Sequence, residues 1–132
     1  MQPSGFVDRP DYRVSIQRIR NRIRVTHAGA TLAESTAALL VAEQDHGIVF
    51  YLPAADVRLD LLVPHEHTSR CPFKGTARYR RPRAGSDPVA WEYPEPYPEV
   101  ALLRGHLGFW QDRVELTVGV ANPAVSGPAG SR

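Results

Sequence analysis

The sequence predicts an all-β domain, either a small two-sheet fold or a partly open barrel of about eight short strands. Three observations carry that expectation. Apolar residues recur on a period of two more often than on three and a half. Turn-forming Gly, Pro, Asn and Asp separate the alternating runs at short intervals. The 132 residues include 12 Pro and 10 Gly, which interrupt the chain too often for long helices. A 42% apolar composition is enough for one core, and hence for one domain, expected over residues 12–118.

Residues 1–11 and 119–132 are poor in bulky apolar groups and are expected as flexible tails, because they bury too little to offset the entropy of being ordered. Over residues 12–19, Tyr12, Val14 and Ile16 alternate with Arg13, Ser15 and Gln17. Ile23 and Val25 then alternate with Arg22, Arg24 and Thr26. The phase slips between these runs, which places a bend or bulge near Arg20-Asn21. His27-Ala28-Gly29-Ala30 reads as a hairpin turn, since Gly29 can take the positive φ that tight connections demand, and residues 31–35 return as its partner. Residues 39–42 are expected as a strand despite their helix-forming Ala and Leu, because Asp45-His46-Gly47 follows as a turn into residues 48–52. Pro53 ends that strand. Ala54-Ala55-Asp56 supplies one helical turn before a strand over 57–63. Strands at 75–80 and 89–93 flank a polar loop at 81–88, and a last strand over 107–118 breaks around Gln111-Asp112-Arg113.

The net charge of +2 is too small for a dedicated polyanion binder, although it permits a local basic patch. A single cysteine closes no intrachain disulfide and builds no thiolate zinc cage, and its free thiol suits a reducing compartment. No apolar run approaches the roughly 20 residues of a membrane span, and the opening MQPSGFVDRP lacks the apolar middle of a signal peptide. A soluble cytoplasmic protein is the expectation.

The residues that carry chemistry concentrate between Arg58 and Tyr97. On a strand over 57–63, Arg58 and Asp60 share one face, about 7 Å apart, and form either a solvated ion pair or the polar wall of a pocket. Next comes Pro64-His65-Glu66-His67-Thr68-Ser69-Arg70-Cys71-Pro72-Phe73-Lys74-Gly75. His65, His67 and Cys71 offer three metal donors, but their spacing fits no common zinc pattern, and no metal is expected. Cys71 serves either as a nucleophile, its thiolate favoured by Lys74, Arg70 or a protonated histidine, or as a small buried apolar residue. Gly75 removes a side chain where backbone or ligand must approach, and Lys74 projects a charge suited to phosphate or carboxylate. The stretch is no P-loop, because the upstream glycine is missing. Trp91 and Tyr93 share a strand face, and Pro94-Glu95-Pro96-Tyr97-Pro98 adds a stiff segment carrying another ring, so these rings either cage a planar ligand or belong to the core. His106 reads as structural. Arg18, Arg20, Arg22 and Arg24, with Arg78-Tyr79-Arg80-Arg81-Pro82-Arg83, are the residues that would contact nucleic acid, which the near-neutral charge disfavours.

The segments RIRVTHAGATLAES at 22–35, FYLPAADVRLDLL at 50–62, the T-x-x-C-P-x-K-G run at 68–75, AWEYPEPYPE at 90–99 and GHLGFWQDRVEL at 105–116 together resemble the domain-of-unknown-function family numbered 427, sometimes labelled nucleotidyltransferase-like. The resemblance covers about residues 22–118. It implies a compact β-tent or Mss4-like fold. Zinc, which relatives of that broad fold hold through paired CxxC knuckles, does not carry over to a chain with one cysteine. An aromatic cage does, onto Trp91, Tyr93 and Tyr97. The paired carboxylates and glycine-serine loop that the nucleotidyltransferase label implies are missing.

The leading expectation is a small-molecule-binding β domain whose pocket is lined by Arg58, Asp60, Thr68, Cys71, Lys74, Trp91, Tyr93 and Tyr97, with Lys74 and Arg58 holding an anionic group and the rings stacking the ligand body. One alternative is an enzyme in which Cys71, or Asp60 with a nearby histidine such as His65, does covalent or proton-transfer work. Another is an interaction module that uses the PEPYPE segment or the arginines. The sequence names no cofactor.

Overall fold

Each reversal of the chain occurs where the residues tolerate it. β2 (Asn21–His27) turns into β3 (Ala30–Ser35) through Ala28 and Gly29, at φ 51° and 82°, while His27 pairs with Ala30. Two consecutive positive φ values define the primed turn whose twist matches that of a strand pair. β4 (Leu39–Glu43) reaches β5 (Gly47–Pro53) through Asp45 and Gly47, also at positive φ. The computed structural model describes residues 2–85 and 87–121.

Around these hairpins stand β1 (Val14–Arg18), β6 (Leu62–Cys71), β7 (Gly75–Pro82), β8 (Ala90–Glu92), β9 (His106–Phe109) and β10 (Glu115–Ala121). They form two antiparallel sheets, a large one in the order β1-β4-β5-β9-β8-β7-β6 and a small one in the order β10-β2-β3. The phase slip after Ile19 is the point where the chain leaves one sheet for the other. The expected break at 111–113 does the same, so the run over 107–118 is two strands in different sheets.

The strand alternation gives the large sheet two apolar faces. One carries Leu52, Leu62, Ala90, Leu107 and Phe109, which pack against Ile23, Val25, Leu32 and Ala33 of the small sheet. Each such large side chain, fully buried, contributes about 1.5–3 kcal/mol. The opposite face carries Leu39, Val41, Tyr51 and Ala77. It is closed in part by Tyr93, Tyr97 and the 3₁₀ segment Pro98–Leu103, which buries Val100 and Leu103.

Two expectations need correction. The strand placed over 57–63 does not form. Val57 makes one isolated bridge to Ala33, and the chain then turns, with Leu61 N–H bonded to Arg58 O at 3.0 Å, before β6 begins at Leu62. The Arg58–Asp60 pair closes this turn locally, which the leucine alternation does not reveal. The N-terminal stretch is not a loose tail. Gly5 N–H bonds Pro72 O at 2.7 Å, buried Ser4 donates to Glu99 Oε2 at 3.0 Å, and Phe73 lies edge-on to Phe6 and stacked on Tyr12. Aromatic contacts hold this segment where bulk apolar composition gives no signal. Residues 119–121 belong to β10, and the remainder of the expected C-terminal tail, 122–132, lies outside the described residues. No helix among the described residues is long and apolar enough to cross a membrane.

Candidate functional site

The register of the large sheet aligns Leu39, Tyr51, Gly108, Trp91 and Tyr79 across β4, β5, β9, β8 and β7. Residues paired directly across antiparallel strands share a face, so this is one transverse row. At its centre Gly108 contributes no side chain. A Cβ there would lie 2.8 Å from the Trp91 indole and 3.2 Å from the Tyr51 ring, so both rings lean over the bare backbone. They meet edge to face, and the Trp91 indole N–H donates to the Tyr51 hydroxyl at 3.0 Å.

Trp110, just past β9, extends the aromatic surface. It stacks on Tyr79 with centroids 5.4 Å apart and tilts against Trp91 at 4.8 Å, while His67 stacks on the far side of Tyr79 at 5.3 Å. The Arg113 guanidinium sits 4.5 Å from the Trp110 ring centre and holds it by cation–π attraction. The rings of Tyr51, Tyr79, Trp91 and Trp110 border a cavity of about 240 Å³, completed by Val41, Val49, His46, Gly47 and Tyr93.

One wall of the cavity is ionic. Lys74, at the β6–β7 turn, pairs with Glu43, the last residue of β4, and both line the cavity. The second Glu43 oxygen accepts a bond from the Tyr12 hydroxyl at 2.6 Å. Burial by itself would raise the Glu43 pKa, but the hydrogen bonds from Lys74 and Tyr12 outweigh it and hold the carboxyl below its ordinary range. Tyr12 is pushed up to about 12, first by burial and then by its bond to the Glu43 carboxylate. Burial also raises the pKa values of Tyr51 and Tyr93. Tyr93 is 8% exposed, and its hydroxyl has no hydrogen-bond partner among the described residues. A buried hydroxyl without a partner costs about 1–3 kcal/mol.

Of the residues expected at the site, Lys74, Trp91 and Tyr93 come together around this cavity. The others go elsewhere. Arg58 and Asp60 form the expected bidentate pair, with Nε to Oδ1 at 3.0 Å and Nη2 to Oδ2 at 2.9 Å, but they sit on an exposed turn and line no part of this cavity. Their hydrogen bonding raises the Arg58 pKa and lowers that of Asp60. Thr68 is exposed on β6, opposite Arg78. Cys71 is half-buried against the cluster of Leu39, Tyr51 and Tyr97 and does not border the cavity. Tyr97 is buried and accepts a bond from Arg70 at 2.8 Å on the border of a separate hollow.

Of the residues expected in the catalytic alternative, Asp60 lies on the exposed turn and Cys71 does not border the aromatic cavity, while His65 borders a different hollow and its Nδ1 accepts the His67 backbone N–H at 3.1 Å. Among the described residues no three or more His, Cys, Asp or Glu side chains gather as a metal site. Gly75 makes the close approach its composition suggested, at φ 121°, with the Glu95 carbonyl oxygen 3.0 Å from where a Cβ would stand. Sequence reasoning missed Glu43, Tyr51, Tyr79, Trp110 and His46. The legible signal was the glycine inside an alternating run, H-L-G-F at 106–109, which marks a close approach in a strand.

A family model described as Domain of unknown function (DUF427) matches residues 15–119. No curated protein matches the chain.

Proposed function

The chain belongs to this family of unknown function, and we propose that its cavity receives a small ring-bearing ligand, stacked by Trp91, Trp110 and Tyr79 and fixed by polar bonds from Tyr93 and the Lys74–Glu43 pair. The observation that carries this reading is the hydroxyl of buried Tyr93, which has no partner among the described residues, in a cavity lined largely by rings. Pockets of this kind bind by apolar and aromatic contact, while a few placed polar groups set orientation. Because Glu43 already neutralises Lys74, an anionic substituent gains less here than a neutral one that both donates and accepts. A volume of about 240 Å³ suits one or two fused rings. The free thiol of Cys71 suits a reducing compartment such as the cytoplasm.

The test is a thermal-shift screen of the full chain against mono- and bicyclic heteroaromatic compounds, repeated on Trp91→Leu and Tyr93→Phe. A compound that binds only the folded state raises its melting temperature. The expected result is a set of ring compounds whose stabilisation is lost in Trp91→Leu and reduced in Tyr93→Phe. Stabilisation by no compound, or equal stabilisation of all three proteins, overturns the proposal.

A further inference from the structure

We propose a second ligand site, for a phosphate monoester, on the reverse side of the β6–β7 hairpin from the aromatic cavity. The pairings Arg70↔Thr76 and Thr68↔Arg78 put these four side chains on one face of two adjacent strands, with Arg70 and Arg78 diagonal to each other. Tyr79, which borders the aromatic cavity, alternates to the opposite face of β7.

Arg70, Thr76 and Arg78 border a hollow of about 440 Å³, together with Pro94, Glu95 and Tyr97. Arg70 is held in place by its bond to the Tyr97 hydroxyl, a neutral partner that leaves its charge uncompensated. Arg78 forms no ion pair among the described residues, because Glu92, directly opposite it on β8, is taken by Arg80 at 3.1 Å. Two guanidinium forks and a hydroxyl therefore face one hollow, where the single carboxylate among the described residues is that of exposed Glu95. Paired guanidinium groups recognise phosphate oxygens through bidentate bonds. The net charge bordering the hollow favours a dianion, and its volume exceeds what a bare phosphate fills, which selects a phosphate carried on a small organic body.

Isothermal titration of the full chain at low salt with glycerol phosphate, inorganic phosphate and glycerol tests this. The monoester is expected to bind most tightly, inorganic phosphate more weakly, and glycerol not at all. Arg78→Gln should weaken the monoester about tenfold, as expected for loss of one charge-assisted contact. Glu95→Gln should tighten it about threefold by removing a like charge, which keeps the test decisive if the arginine variant folds poorly. Trp91→Leu should leave it unchanged, so the outcome is independent of the aromatic cavity. Inorganic phosphate binding as tightly as the monoester, or less than a twofold effect in both Arg78→Gln and Glu95→Gln, overturns the proposal.

Discussion

Lys74 and Glu43 stand 31 positions apart in the sequence and meet as an ion pair with only 7% and 15% of their side-chain surfaces exposed. They join the turn ends of two hairpins, β4–β5 and β6–β7, that are not neighbours in the sheet. Removing either charge alone strands the other. Lys74→Ala is expected to cost about 3 kcal/mol in urea unfolding, the lower end of the range for a buried pair because Glu43 keeps some contact with water. The double variant Lys74→Met with Glu43→Gln should recover most of that loss, since it leaves no uncompensated charge. A double variant less stable than Lys74→Ala would show that the pair is worth more than its desolvation.

Acid should weaken the fold through the same carboxylate. Glu43 has a folded pKa below its ordinary value of 4.5. Its contribution is therefore complete above that value and is lost as pH falls through the folded one. Urea midpoints measured between neutral pH and pH 3 should fall with a slope that Glu43→Gln flattens.

Alkali should act through Tyr12, with the opposite sense. A tyrosine raised from 10.0 to about 12 binds its proton more tightly in the folded chain. Its contribution is complete below pH 10 and declines as pH rises through 12. Tyr51 and Tyr93 are raised too. Tyrosinate absorbance should show at least three rings ionising above the ordinary tyrosine range in the folded protein and within it in urea.

Gly108→Ala should disturb the aromatic cavity more than the fold. The added methyl meets Trp91 carbons at 2.8 Å and the Tyr51 ring at 3.2 Å. Overpacking of this kind costs about 1–3 kcal/mol. The indole is expected to move into the cavity, with a shifted tryptophan emission maximum and no stabilisation by ring compounds. Gly29→Ala, at a position with open space but φ 82°, should lower stability without altering emission.

The exposed pair Arg58 and Asp60 serves as the negative case. Arg58→Ala should leave ring-ligand stabilisation intact, because the pair lies on a turn outside the cavity. Loss of ligand response in this variant would return the pair to the binding site.

How far the sequence was legible follows from which signals are local. The turns at Ala28-Gly29 and Asp45-Gly47 were readable because a positive φ leaves its mark on residue type. That Lys74, Trp91 and Tyr93 share one hollow was readable because a charge and rings stood out against an apolar alternation. Glu43 and Tyr51 were not, since each looks like an ordinary strand residue until β5 pairs with β9 and β9 with β8. The turn at 58–61 was misread as strand because Leu59 and Leu61 keep a period of two there, although Leu59 is 38% exposed. The docked N-terminal stretch was hidden because its anchors are two rings, Phe6 and Tyr12, that find Phe73 far along the chain, 67 and 61 residues away.

The row from Leu39 to Tyr79 crosses five strands whose order in space differs from their order along the chain. No excerpt shorter than residues 41–110 therefore carries the whole lining of the aromatic cavity, and peptides cut at any loop between β4 and β9 inherit only part of it. Occupancy of that hollow is accordingly a readout of complete assembly, and during refolding it should emerge only with the last long-range strand pairing.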